Sequence, residues 1–515
     1  MFTNIIDQFN YSVEQYKDNI AFTSPADNPK EASSITFKDL EVLVKRIATG
    51  LLGYLGEQNQ PQPIGVMTDR NYYTPACYMG IALTGNFYAP MDPTLPETRI
   101  LQILSVAKPR YIITDQNNFQ TVNALTSTVD FEVATILLED LLKVSPDEEI
   151  INQRKLDITE DSPLYMIFTS GSTGVPKGVL TSHLSLMCYL DGLNQVIQLE
   201  ERDVIGSQAP FDYIAAIRDL YLPLVTGCST VIIPRTITAM PKELFSMLNE
   251  YKVTTLCWSA AGLEVISKLG AFDDPSLSRP EHIKRIVFSG SVIPNQHLEP
   301  WQDALPDTTF INQYGPTETT ASCTYYILRD KVSKDTVIPI GKPFQHYQVL
   351  ILDEDNKEAA YGSPGELCVA GPALAIGYYN NPEQTEKVFV KNPLSDTPDR
   401  IYRTGDLAKY DNEGNLLFLG RKDRQIKHMG HRIELAEIDR VASSIPQVSQ
   451  GISIYDPLKE ILHLFYTGEA SKKDITLFFR KNMPSYMVPR KITNLESFPT
   501  LPNGKINMGE LKKMI

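Results

Sequence analysis

Short apolar runs bounded by turn residues recur along the first two thirds of the chain, with helically spaced segments between them. PIGVMT (63–68), RYIITD (110–115), STVIIP (229–234), TTLCWS (254–259) and RIVFSG (285–290) are rich in Val and Ile and too short for helices. They lack in–out alternation, which predicts strands of mostly parallel sheets covered on both faces; amphipathic stretches such as 242–251 supply the cover. Past residue 340 the pattern changes. VLILD, GELCVA and NLLFLG, separated by Gly and Asn turns, predict antiparallel strands. The final segment reads as two helices, IELAEIDRVASS and KKDITLFFRKNM, flanking the strands GISIYD and ILHLFYTG, a small α+β unit. The expected fold is therefore α/β. A large N-terminal domain of mixed and parallel sheets with helices and a β-rich subdomain takes residues 1–422. A small C-terminal α+β domain takes 423–515.

A chain of 515 residues needs more than one core. Its 42% hydrophobic and 21% charged content is that of a globular protein, and a net charge of −14 argues against nucleic acid or anionic membrane as partner. No signal-peptide pattern opens it and no run approaches a membrane span. Six scattered cysteines, with no CxxC pair and no zinc spacing, read as reduced thiols. The expected location is the cytoplasm.

Four segments carry chemistry. Phe168-Thr-Ser-Gly-Ser-Thr-Gly-Val-Pro-Lys-Gly178 follows the strand-like LYMIF. Its glycines let the backbone curl around an anion, its hydroxyls and N–H groups donate to phosphate oxygens, and Lys177 adds a mobile charge. A Walker A loop needs Gly-Lys-Ser/Thr, whereas here Pro176 precedes the lysine and Gly178 follows it. In Asn312-Gln-Tyr-Gly-Pro-Thr-Glu-Thr-Thr320, Gly315-Pro316 forces a turn, Tyr314 can stack a flat base, Thr317 can bond phosphate and Glu318 offers an oxygen to Mg²⁺. Asp406, in Tyr402-Arg-Thr-Gly-Asp-Leu407, suits the two hydroxyls of a ribose. The stretch Gly420–Arg432, taken alone, reads as a basic, solvated turn. Lys505 stands at an Asn-Gly turn in Leu501-Pro-Asn-Gly-Lys-Ile506.

Together, in this order, the four segments resemble the adenylate-forming superfamily of acyl-CoA synthetases, luciferases and peptide-synthetase adenylation domains, its amino-acid-activating branch above all. The likeness runs from ITFKDL (35–40) and NFYAPMDPTLPETRI (86–100) through GELCVAGPALAIGYYNNPEQT (365–385) and NMPSYMVPR (482–490) to LPNGKI. Ile376 departs from it, standing where the family often has arginine. The resemblance implies ATP and Mg²⁺, and a reaction in two halves: a carboxylate attacks the α-phosphate to give acyl-AMP and pyrophosphate, and a thiol then expels AMP. It implies Lys505 bridging carboxylate and α-phosphate; Thr169, Ser170, Gly171, Ser172, Thr173, Gly174 and Lys177 around the β- and γ-phosphates, with Gly315 and Thr317 completing the nucleotide site; Glu318 on Mg²⁺; Asn312 and Tyr314 at adenine; and Asp406 and Arg421 at ribose. Asp423 is the implied hinge, about which a lid exchanges Lys505 for the segment around Lys427–Gly430 in the thiol step.

The family's acid pocket falls on 206–227. Asp212 takes the place of the aspartate that pairs with an α-ammonium; read structurally, it caps the following helix. The stretch after it is longer than the family pattern. Tyr213, Cys257, Val287, Ser289, Gly290, Gln313, Ala321 and Ser322 fill the other positions. None is charged, which predicts a compact neutral amino acid. The chain is most similar to free-standing L-proline:carrier-protein ligases of anatoxin- and pyrrole-type pathways. L-Proline is therefore the expected acid and D-alanine the nearest competitor. No phosphopantetheine attachment sequence follows Lys505, so the expected thiol belongs to a separate phosphopantetheinylated carrier protein. An acyl- or aryl-CoA ligase and a non-catalytic nucleotide-binding regulatory protein stay open as alternatives.

Overall fold

The computed structural model describes residues 2–25, 33–56, 60–171, 174–457, 459–500 and 506–515. The runs without alternation are strands buried on both faces. Pro63–Met67, Tyr111–Thr114 and Phe87–Pro90 pair in parallel within a seven-stranded sheet, whose other end carries the antiparallel pair Pro163–Thr169 and Lys177–Ser182. Val204–Ser207, Ser229–Ile232, Thr255–Ser259, Arg285–Ser289 and Thr309–Tyr314 run parallel within a nine-stranded sheet.

Helices fill the space around these sheets. Phe37–Leu55 starts where the Thr36 hydroxyl accepts from the Asp39 N–H at 3.1 Å. It buries Phe37, Leu40, Val44, Ile47, Leu51 and Leu55 at helical spacing. Ala216–Thr226 grows out of a turn in which the Ala216 N–H donates to the Tyr213 carbonyl and the Ile217 N–H to that of Ile214. It stops at Gly227, whose φ of +73° suits a left-handed cap, and its charged residues Arg218 and Asp219 are buried. One hydrophobic cluster extends from Ile5 to Leu416 across both large sheets.

Beyond residue 340 the strands are antiparallel as expected: Gln348–Leu352 with Gly365–Ala370, that strand with Arg400–Tyr410, and Arg400–Tyr410 with Leu416–Arg421. Gln425–His428 and His431–Glu434 then form a separate hairpin. The last segment has its own cluster, including Ile438, Leu464, Ile475 and Phe479. Its two expected strands, Val448–Asp456 and Ile461–Gly468, are joined by a third, Lys491–Asn494, parallel to the second, which the sequence pattern did not reveal.

Candidate functional site

Strands from both large sheets end at a common cleft. Thr169 and Lys177 face each other in register where their strands stop, so the glycine-rich loop is the connection between them. A Cβ on Gly171 would overlap the Val175 carbonyl, and the Gly174 N–H closes the loop onto the Gly171 carbonyl at 2.8 Å. A side chain at 171 therefore forbids this curl. Ser172 and Thr173 lie outside the described residues, as does Lys505. On the neighbouring sheet, the turn after Thr309–Tyr314 packs so closely that a Cβ on Gly315 would overlap the Ser322 backbone. Thr317 opens a single 3-10 turn that buries Glu318 completely.

The cleft has a free volume of about 60 Å³. Thr169, Ser170, Gly315, Thr317, Tyr213, Ile214 and Gly290 line one side, and Lys427, Gly430, His431, Arg432 and Tyr486 the other. The stretch read as a basic, solvated turn exposes its charged residues only at its start, at Lys422, Asp423 and Arg424, and Met429 further on. Its remainder is the hairpin 425–434, whose tip closes the cleft. The Tyr213 hydroxyl donates to the Gly430 carbonyl, and the Ser170 hydroxyl to the Arg432 carbonyl at 2.7 Å. The His431 ring lies flat on Tyr486, centroids 3.7 Å apart.

Glu318 is the electrostatic centre. Arg432 Nη1 donates to both its oxygens at 3.0 and 2.9 Å, and the Tyr378 hydroxyl donates to one at 2.6 Å. Burial alone pushes this carboxyl up. Arg432, the Tyr378 hydroxyl and Lys177 outweigh it and hold it below the ordinary range. Lys177 is itself held low, first by burial and then by Arg432. Lys427 sets its ammonium 4.9 Å over the Tyr314 ring, and burial lowers it too, against the pull of Asp406. Asp406 accepts the Tyr314 hydroxyl and Arg421 Nη1, while Arg421 grips both oxygens of Asp423 at 2.7 and 2.9 Å. Asn312 spends its amide on the Pro339 carbonyl.

The acid-pocket positions divide into groups. Tyr213 and Gly290 line the cleft. Ser289 and Gln313 stand toward the carboxyl ends of their parallel strands, where open α/β sheets hold ligands, and Cys257 and Val287 at the middle of theirs. Ala321 and Ser322 are buried beside the Gly315 turn. Asp212 lies on a wider cavity of about 460 Å³, with Asp92, Arg70 and Arg235, while Tyr213 and Ile214 after it line the cleft. Its carboxyl still interacts with Arg99 and Tyr486, which line the cleft. Burial, then Asp92, pushes the Asp212 carboxyl up to about 7.

A buried cation outside the acid-pocket positions touches two of them. Arg218 Nη1 donates to Ser289 Oγ at 3.3 Å and Gln313 Oε1 at 3.1 Å. The missed signal is the adjacent charged pair Arg218-Asp219 in an otherwise apolar helix. Arg432 and Tyr378, both on Glu318, were missed as well. All six cysteines are free and buried.

Residues 9–379 match the family model "AMP-binding enzyme". The dimodular nonribosomal peptide synthase of Bacillus subtilis is 31% identical over 84% of this chain, and polyketide synthase PksN of the same species 28% over 96%. The chain spans only 18% and 9% of those proteins' own length. Among solved structures, the fused adenylation–PCP di-domain NpsA-ThdA of Klebsiella oxytoca superposes with a TM-score of 0.80 at 22% identity, covering 96% of this chain and 94% of that one. Amide bond synthetase McbA of Marinactinospora thermotolerans gives 0.82 at 16%, covering 99% of each. The chain belongs to the AMP-binding enzyme family, the adenylate-forming enzymes. Among the described residues no helix is long and apolar enough to cross a membrane.

Proposed function

We propose that this protein activates an amino acid with ATP, as an aminoacyl-adenylate, and passes the acyl group to the thiol of a carrier protein. The observation that supports this most is the convergence on one cleft of the glycine-rich loop, the Gly315–Thr317 turn and the hairpin 425–434, with the ionised carboxylate of Glu318 behind them. In the first half-reaction a carboxylate oxygen bonds to the α-phosphorus and the bond to pyrophosphate breaks. The loop from Thr169 to Lys177, with Gly315 and Thr317, supplies donors for the departing phosphates. Asn312 and Tyr314 face adenine, Asp406 and Arg421 the ribose, and Lys505 bridges the reacting groups. Glu318, one carboxylate beside a phosphate site, is a donor set that fits Mg²⁺, which would neutralise phosphate charge there.

In the second half-reaction the thiol sulfur bonds to the acyl carbon and AMP leaves. The docked hairpin suits this step, with Lys427 and Gly430 at the cleft and Arg432 on Glu318. Residues 423–515 then act as a lid turning at Asp423, and 1–422 as the body. The dispersed pairs Arg99–Glu437, 3.1 Å, and Lys268–Glu460, 3.0 Å, are contacts such a turn would release. A carrier partner is supported by the peptide-synthase relatives, and a cytoplasmic location by the free thiols.

L-Proline is the acid the sequence resemblance puts first. Acid-dependent exchange of labelled pyrophosphate into ATP tests the reading. Exchange with proline supports the finer proposal, and exchange with D-alanine alone replaces it. Exchange only with fatty or aryl acids makes the chain a CoA-ligase-like enzyme. No exchange with any acid leaves a nucleotide-binding protein.

A further inference from the structure

Arg218 is fully buried, yet it makes no ion pair among the described residues. Its guanidinium reaches only neutral acceptors: Ser289 Oγ at 3.3 Å, Gln313 Oε1 at 3.1 Å and the Trp258 carbonyl at 3.5 Å. Its Nε has no partner, and neither has Nε2 of Gln313 beside it. Removing a cation from water without a counter-ion costs several kcal/mol. Two unsatisfied donors side by side add to that cost. The neighbouring Asp219 is buried too; burial pushes its carboxyl up to about 7 against the opposing charge of Arg218, and the two attract without a direct contact between guanidinium and carboxylate.

The position is specific. Ile214, one helical turn before Arg218, lines the cleft, and so does Gly290, which follows Ser289. Arg218 therefore lies directly behind the cleft wall, at the carboxyl ends of the strands Arg285–Ser289 and Thr309–Tyr314. A guanidinium with weak neutral contacts and a free Nε–H is a fork for a carboxylate, and Gln313 supplies a further donor to the same group.

We propose that Arg218 determines specificity in the acid pocket, and that the acid activated carries a second carboxylate at its end remote from the reacting one. This rests on the adenylating reading above and replaces proline with a dicarboxylic acid. Ser289 and Gln313 orient the fork, and the ligand provides the missing counter-ion. The neighbouring Asp219, neutral or ionised, leaves room for that charge because it does not occupy the fork.

The test is pyrophosphate exchange by the full chain with aspartate, glutamate and succinate, against asparagine, glutamine, proline and D-alanine, in the wild type and in Arg218→Gln. The expected result is exchange with a diacid at a kcat/KM about 100-fold above its amide analogue or the small neutral acids. In Arg218→Gln, diacid exchange falls by about 100-fold, mostly through KM, and the preference over the amide disappears. The wild-type panel decides even if the variant does not fold. Exchange with proline, D-alanine or an amide while diacids are inert overturns this inference and leaves the proposed function standing. Exchange with no acid overturns both.

Discussion

Arg432 sets one nitrogen on both oxygens of Glu318, at 3.0 and 2.9 Å, and so ties the hairpin 425–434 to a carboxylate 114 residues earlier in the chain. Under the proposed function, Mg²⁺ on Glu318 would compete with this guanidinium for one carboxylate, so docking of the hairpin would oppose loading of the metal-bound nucleotide. Glu318→Ala removes the counter-ion of a buried arginine, and the expected cost is about 3 kcal/mol in denaturant unfolding. The variant loses acid-dependent exchange. Chelating Mg²⁺ stops exchange in the wild type, and adding it back restores the rate.

Gly315→Ala sets a methyl against the Ser322 backbone, which no side-chain rotation relieves. A loss of about 2 kcal/mol is expected. ATP binding, followed as ligand-induced stabilisation, weakens with it. An unchanged unfolding midpoint would show that the turn is not as tightly packed as described.

Hairpin docking is expected to depend on pH through His431. Burial, then His428, lowers its imidazole from the ordinary 6.5 to about 4. The neutral ring is favoured in the docked, folded state. Its contribution is therefore complete above pH 6.5 and is lost as pH falls from 6.5 toward 4. The unfolding midpoint should drop between pH 7 and pH 5. His431→Phe, which keeps the flat contact with Tyr486, should make that drop smaller. Equal drops in both proteins remove His431 from the account.

The two lysines separate the half-reactions. Lys505→Ala is expected to abolish adenylation yet leave thioester formation from supplied aminoacyl-adenylate largely intact. Lys427→Ala is expected to spare exchange and slow the thiol step. Each is read by exchange and by single-turnover acyl transfer. Equal loss of both steps in a folded Lys505→Ala protein contradicts the division of labour.

The strand Pro63–Met67 and its parallel neighbours were legible because burial on both faces leaves an unbroken apolar run. The glycine-rich loop and the Gly315 turn were legible because a backbone bent that closely excludes side chains. The hairpin 425–434 was not. Most of its residues are polar, and Lys427 and Arg432 are half-buried only because Tyr314, Asp406 and Glu318, remote in sequence, receive them. Arg218 lay in plain view as a cation in AAIRDLYLPLV, yet only its contacts with Ser289 and Gln313 give it a place in the pocket.

The central claim is that a carboxylate oxygen attacks the α-phosphorus of ATP. Let the acid that drives exchange be labelled with heavy oxygen in its reacting carboxylate, and let the reaction run to acyl transfer. The account predicts AMP carrying one labelled oxygen, with pyrophosphate unlabelled. Unlabelled AMP, or ADP in its place, would contradict it.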